Sequence, residues 1–183
     1  PDVSNLPTTV LPKHYQFELG AESGHSDFMG EFSAPNLIFR TGLNKKSELR
    51  VGFTSVSVDS LDKKWSDKML IATLSIKYRI VEEKNARPSI AIQPEISLPF
   101  GDGVNVSQTE ANFTLMNYSL LFLFNNTLHE KIFFNYNTGL LWSGHGDMDY
   151  LLSASTSFAH THRLGYFLEA YSIFNLNGFP LSF

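Results

Sequence analysis

The chain has 183 residues, of which 17% are charged and 14% aromatic, with a net charge of −4 and no cysteine. The net negative charge excludes the basic footprint of a nucleic-acid-binding protein, and the lack of cysteine excludes disulfides and zinc–thiolate sites. The longest unbroken apolar run, Leu120 to Phe124, is far shorter than the roughly 18 residues of a membrane-spanning helix.

Apolar and polar residues alternate over nine segments, and this two-residue period predicts β-strands. In chain order the segments are His14 to Ser23, Pro35 to Leu43, Glu48 to Val56, Met69 to Ile80, Ser89 to Phe100, Ala111 to Phe124, Ile132 to Trp142, Tyr150 to His160 and Leu164 to Phe174. Short connections at 44–47, 81–87, 125–131 and 161–163 alternate with longer ones at 24–34, 57–68 and 101–110. Short periplasmic turns and longer outer loops are typical of bacterial outer-membrane barrels. We therefore predict an all-β fold, an antiparallel transmembrane up-and-down β-barrel.

The alternation separates two faces of the predicted strands. The apolar face is expected to contact lipid and carries Leu37, Phe39, Leu43, Leu49, Val51, Phe53, Leu70, Leu74, Ile76, Tyr78, Ile90, Ile92, Ile96, Leu98, Phe134, Tyr136, Leu140 and Trp142. The charged residues of the other face are Glu18, Arg40, Glu48, Arg50, Lys77, Arg79, Glu95 and Glu169. Because one Arg at the middle of a bilayer costs about 2 to 4 kcal/mol, we expect these residues to form a charge network facing the lumen. The network either closes a narrow barrel as a paired structural element or lines a passage for substrate.

Four stretches of the sequence resemble a known family: LPKHYQFELG, FSAPNLIFRTGLNKKSELRVGF, RPSIAIQPEISLPFG and HRLGYFLEAYS. They are similar to the outer-membrane "transporter" barrels grouped with phenol meta-pathway (MetA-like) degradation proteins, over Leu11 to about Asn175. The positions that match the family pattern are Arg40, Gly42, Glu48, Arg50, Glu95, Leu98, Pro99, Gly101 and Glu169. The resemblance implies a barrel of roughly a dozen strands and a role in the uptake of small molecules, with aromatic or hydrophobic compounds as candidates. It implies no catalytic residue.

Both ends of the chain depart from the strand pattern. The N-terminal PDVSNLPTTVLPK has no signal-peptide pattern, so we read it as the start of a mature chain. After Phe174 the sequence ends in LNGFPLSF, where the family continues with further strands. An odd number of strands does not close as a bacterial barrel. Residues 1–183 are therefore expected to be a single domain lacking its C-terminal strands, with other outer-membrane proteins as candidates to cover the open edge.

The sequence contains candidates for two other kinds of site, and neither site is predicted. The loop motifs SGHSD at 23–27 and SGHGD at 143–147 hold His and Asp on the same side of the predicted membrane, but Gly, Ser and Asp are common turn residues, so no metal site is predicted. Ser155 and Ser157 precede His160 and His162, yet the serines are expected to face inward and the histidines to lie at the periplasmic end. This separation is unsuited to nucleophilic catalysis, so we predict no enzyme and no cofactor.

The predicted function is that of a passive channel or facilitator for small molecules in a Gram-negative outer membrane, with the lipid bilayer as its main partner. One alternative is a non-conducting accessory or structural subunit of a larger outer-membrane complex. Another alternative is a soluble lipocalin-like binder, which would require Leu37, Phe39, Val51 and Phe53 to face inward.

Overall fold

The computed structural model describes residues 5–25, 29–60, 66–100, 116–144, 146–159 and 165–176. These residues form strands β1 (Tyr15–His25), β2 (Met29–Gly42), β3 (Ser47–Ser60), β4 (Ser66–Val81), β5 (Ser89–Phe100), β6 (Asn117–His129), β7 (Ile132–Trp142), β8 (Met148–Ala159) and β9 (Gly165–Asn175). Each strand pairs antiparallel with the next, giving one nine-stranded sheet that curls into a half-barrel. The prediction of an all-β antiparallel fold is confirmed. Among the described residues, no helix is long and apolar enough to cross a membrane.

The hairpins extend further than the alternation predicts. Met29 pairs with Ser60, and Asp59 pairs with Ser66, so most of the predicted loops 24–34 and 57–68 is strand, and the prediction of long loops there is wrong. Backbone ladder bonds do not depend on side-chain polarity. A hairpin in register can therefore continue past the end of its apolar pattern. The third predicted long loop, 101–110, lies outside the described residues.

Side chains alternate between a concave and a convex face of the curled sheet. On the concave face, an apolar cluster of Ala91, Leu121, Leu123 and Leu151 is buried. Buried polar side chains share this face, and they include Glu48, Arg50, Ser75, Lys77, Gln93, Asn125, Asn135, Asn137, Ser153 and Ser155. The convex face carries exposed large apolar side chains, including Tyr15, Phe17, Leu19, Leu37, Phe53, Leu74, Ile76, Tyr78, Ile96, Phe122, Leu152 and Leu168.

The two edge strands of the sheet are β1 and β9. Within the described part of the chain, each pairs with a single neighbouring strand, and β1 makes no contact with β9. The half-barrel is therefore open along one side, between its first and last strands.

Candidate functional site

The β2–β3 hairpin brings opposite charges together on the concave face. Asn44 Oδ1 accepts hydrogen bonds from the backbone N–H groups of Lys46, at 2.8 Å, and Ser47, at 2.9 Å. This side-chain-to-backbone turn reverses the chain within a few residues. As a result, Arg40 of β2 and Glu48 of β3 point into the same side of the sheet, within reach of each other.

The concave face carries a charged cluster made of Glu18, Arg40, Glu48, Arg50 and Lys77. Glu48 is its centre, and the Glu48 side chain is 0% exposed. Arg40 Nε donates to Glu48 Oε1 at 2.7 Å, and Arg40 Nη2 donates to Oε2 at 3.2 Å. Arg50 Nε and Lys77 Nζ lie 3.9 Å and 4.0 Å from the same Oε1, while Arg40 also binds Glu18 Oε1 at 2.6 Å. One buried carboxylate is therefore surrounded by three cations, and buried charges persist in proteins only when they are paired in this way.

Residues 5–12, which we call the N-terminal strap, cross the concave face above this cluster. Lys77 is 1% exposed, and its Nζ donates to the backbone oxygens of Leu6, at 2.7 Å, and Thr8, at 3.5 Å. Pro7, between these two residues, is fully buried. The strap thus supplies two backbone acceptors to a buried ammonium group.

Two further contacts join the strap to the cluster. The backbone N–H of Val10 donates to Glu48 Oε2 at 2.7 Å. Arg50 Nη1 donates both to Asn5 Oδ1, at 2.9 Å, and to Gln93 Oε1 of the sheet, at 2.8 Å. Apart from Asn5 Oδ1, the strap atoms bound by Lys77, Glu48 and Arg50 belong to its backbone. The concave face of β1 to β5, which we call the wall, therefore binds the strap mainly through backbone atoms and not through particular side chains.

The strap leaves the sheet alongside Gly42, where Pro12 forms an isolated parallel bridge. A Cβ atom at position 42 would collide with the backbone oxygens of Val10 and Leu11. Both are backbone atoms and cannot rotate away as a side chain can. Gly42 is therefore required for the close approach of the strap to β2.

A cavity of about 700 Å³ lies between the strap and strands β1 to β5. Its lining includes Gln16, Glu18, Asn36, Arg40, Arg50, Thr54, Thr73, Lys77, Gln93 and Glu95 from the sheet and Asn5, Leu6, Thr8, Thr9 and Val10 from the N-terminal region. Most of these side chains are charged, amide or hydroxyl groups. The cavity is therefore suited to small polar or amphipathic molecules.

Six of the eight residues predicted for the charge network lie on the concave face of β1 to β5: Glu18, Arg40, Glu48, Arg50, Lys77 and Glu95. Glu95 joins the others through Gln93, whose Nε2 lies 3.5 Å from Glu95 Oε2. Arg79 instead lies at the turn end of β4, where its Nη2 donates to Lys45 O at 2.8 Å and lies 3.2 Å from Glu82. Glu169 pairs with Ser155 of β8 and lies on β9. Strand β9 is the edge of the sheet that is farthest from the cluster.

Neutral polar groups replace the buried charges on the concave face of β6 to β8. Asn125 Nδ2 donates to Asn135 Oδ1 at 2.6 Å, and Asn135 Nδ2 donates to Ser155 Oγ at 3.2 Å. The nearby Asn137 side chain is buried and makes no hydrogen bond with the described residues. This ladder lies beside the apolar cluster that contains Leu123.

The N-terminal strap was not predicted from the sequence, because residues 5–12 carry no two-residue alternation of apolar and polar side chains. The available signal was the pair Pro7 and Pro12 in a stretch without alternation, which is typical of an extended chain outside a sheet. In each contact, the strap residue and its partner in the cluster are separated by about 40 to 70 residues along the chain. Such partners follow from the curl of the sheet.

The described residues contain no group of three or more His, Asp or Glu side chains placed to hold a metal ion. The histidine side chains of the two loop motifs, and His160 and His162, lie outside the described side chains, so those motifs stay untested. Comparison of the chain with protein-family models, curated proteins and solved structures finds no match. Function is therefore inferred from the chain's own residues.

Proposed function

We propose that this chain forms the wall of an outer-membrane β-barrel that passively passes small molecules. The observation that carries this proposal is the distribution of polarity, with buried charges on the concave face and large apolar side chains on the convex face. Phe17 is 80% exposed and Leu19 is 76% exposed. A soluble protein rarely exposes a continuous apolar surface, whereas a lipid-facing barrel surface is apolar by necessity.

Strand length supports the same proposal. The strands have 11 to 16 residues, and about 9 to 11 tilted residues cross the hydrocarbon core. The lipocalin-like alternative would place Leu37 and Phe53 inside, but both are exposed on the convex face.

Membrane embedding can be tested by reconstitution. We expect the protein to require detergent or lipid to stay in solution, and to float with phospholipid vesicles in a density gradient after alkaline washing. Single-cysteine variants at Phe53 and at Thr54 provide a matched pair, because these neighbours lie on opposite faces and the chain has no other cysteine. A lipid-soluble thiol reagent should label the first far faster than the second. A protein that stays monomeric in water without detergent would contradict the proposal.

Charge balance suggests what the lumen would pass. Among the described side chains, the charged cluster and Glu95 together place three carboxylates, Glu18, Glu48 and Glu95, and three cations, Arg40, Arg50 and Lys77, on the concave face of β1 to β5. A balanced lining attracts neither ion sign strongly over long distances. Small uncharged or amphipathic molecules fit it better than a single class of ion, and the aromatic compounds implied by the family resemblance belong to that group.

A second candidate function is a non-conducting accessory barrel. It is favoured by the strap and the paired charges, which together occupy much of the concave face. Planar-bilayer recordings separate the two functions, with the wild type compared with the Arg50→Gln, Glu95→Gln double variant. Current in either protein supports the channel. If neither of these proteins, nor a variant lacking residues 1–10, ever carries current, the channel function fails and the accessory function is favoured.

A further inference from the structure

The N-terminal strap is bound to the wall mainly through polar contacts. Pro7 is its fully buried apolar side chain, whereas Leu6 and Leu11 are exposed. Its hold on the wall therefore depends on the hydrogen bonds to Lys77, Glu48 and Arg50. A segment with little apolar burial belongs to the part of a fold that opens most easily.

The strap also occupies the space that a solute would need. The cavity of about 700 Å³ has the strap along one side and strands β1 to β5 along the other. Lys77 and Glu48 are almost inaccessible while the strap is bound, so a molecule in the cavity can reach the outer members of the cluster, Glu18 and Arg40, but not its centre.

We propose that the N-terminal strap is a displaceable plug, which closes the lumen when bound and must leave the charged cluster for solutes to pass. This inference rests on the proposed channel function. The wall binds backbone atoms of the strap, so the wall is a binding site for an extended peptide. In this structure the chain's own N-terminal region occupies that site.

Release of the strap has a predictable electrostatic consequence. Lys77 loses its two hydrogen-bond acceptors, the backbone oxygens of Leu6 and Thr8. Arg50 loses one acceptor, Asn5 Oδ1. Glu48 loses one backbone donor and keeps the nearby cations. The groups left with unsatisfied hydrogen bonds are therefore chiefly cationic. Small molecules that carry a carboxylate, carbonyl or hydroxyl oxygen can replace the strap oxygens, so amphipathic solutes with such a group are the ones that the open lumen should bind.

The test uses Gly42→Ala, which displaces the strap without altering any charge. Its added methyl group collides with the backbone oxygens of Val10 and Leu11. Gly52→Ala is the matched control, because it makes the same change on the adjoining strand and its methyl group meets the side-chain hydroxyl of Thr73. Thr73 can rotate away, so the strap should stay bound.

Strap release is measured in the full chain through Pro7→Cys, which introduces its only thiol at a buried position. Loss of hydrogen bonds to charged groups corresponds to about a tenfold change in the bound population or more. We expect Gly42→Ala to increase thiol labelling about tenfold, with Gly52→Ala close to the parent. Unchanged labelling in Gly42→Ala would overturn the contact geometry on which the plug depends.

Planar-bilayer recordings then measure passage for the same proteins without the cysteine. We expect Gly42→Ala to raise the open fraction about tenfold. A variant lacking residues 1–10 provides a second route to an empty lumen. If labelling shows release while the wild type conducts as well as Gly42→Ala, the plug is wrong and the channel function stands. If even the shortened variant never conducts, the channel function fails.

Discussion

The two halves of the concave face fill their buried positions with different kinds of side chain, charged in one half and neutral in the other. In β1 to β5 the inward positions are charged, and a backbone segment from outside the sheet supplies part of their hydrogen bonding. In β6 to β8 the buried inward side chains are leucines, amides and hydroxyls, and these side chains fill the space themselves. The buried ions pair across strands but take part of their hydrogen bonding from outside the sheet, whereas Asn125, Asn135 and Ser155 pair within it.

The largest expected effect is in the charged half, at Glu48. In Glu48→Gln, three cations lose the charge that compensates their burial, so we expect the free energy of unfolding to fall by about 3 to 5 kcal/mol. Urea unfolding in phospholipid vesicles measures it. Glu82→Gln is the matched control, since it removes a mostly exposed partner of Arg79 and should cost less than about 1 kcal/mol. Equal effects would mean that the cluster does not stabilise this half.

In the neutral half, the next largest effect is expected at Leu123. Its side chain is fully buried on the concave face, so Leu123→Ala should cost about 2 to 4 kcal/mol through lost packing and a new cavity. Leu152→Ala on the convex face, where the side chain is exposed, should cost less than about 1 kcal/mol. The same unfolding measurement compares the two. A larger loss at Leu152 would reverse the assignment of the faces in this half.

A smaller effect is expected in the amide ladder. Asn135→Ala removes hydrogen bonds to Asn125 and Ser155, which should cost about 1 to 3 kcal/mol. Asn137→Ala, on the same strand and face, has no hydrogen bond with the described residues to lose, and it should cost clearly less. Unfolding midpoints measured side by side give the comparison, and equal losses would show that hydrogen bonding does not distinguish the two amides.

The smallest expected effect concerns the convex face, where the two halves should behave alike. Phe124 and Tyr136 stack with ring centroids 4.9 Å apart, and Tyr15 and Phe39 stack at 5.9 Å. Double-mutant cycles to Leu should give a coupling of about 0.5 to 1.5 kcal/mol for the first pair and a somewhat weaker coupling for the second. A coupling in only one half would show that the contrast between the halves extends through the sheet to its outer face.

Particular residues show how far sequence reasoning reaches. The alternation predicted nine strands and placed Glu48, Arg50 and Lys77 on one face, because the two-residue period is a property of each strand by itself. It did not predict that β2 begins as early as Met29 or that β3 continues to Ser60, since the polar ends of hairpins carry no such period. It grouped Arg79 and Glu169 with the network, although Arg79 lies at the turn end and Glu169 at the far edge of the sheet.

By itself, the sequence determined the antiparallel strands, their two faces and the residues that carry charge, because these depend on neighbouring positions along the chain. The tertiary structure alone decided that Glu48 becomes the centre of the cluster and that residues 5–12 lie across it. Those contacts join atoms about 40 to 70 residues apart. Only the curl of the sheet brings such distant groups within hydrogen-bonding distance, where the cost of burying charge makes them pair.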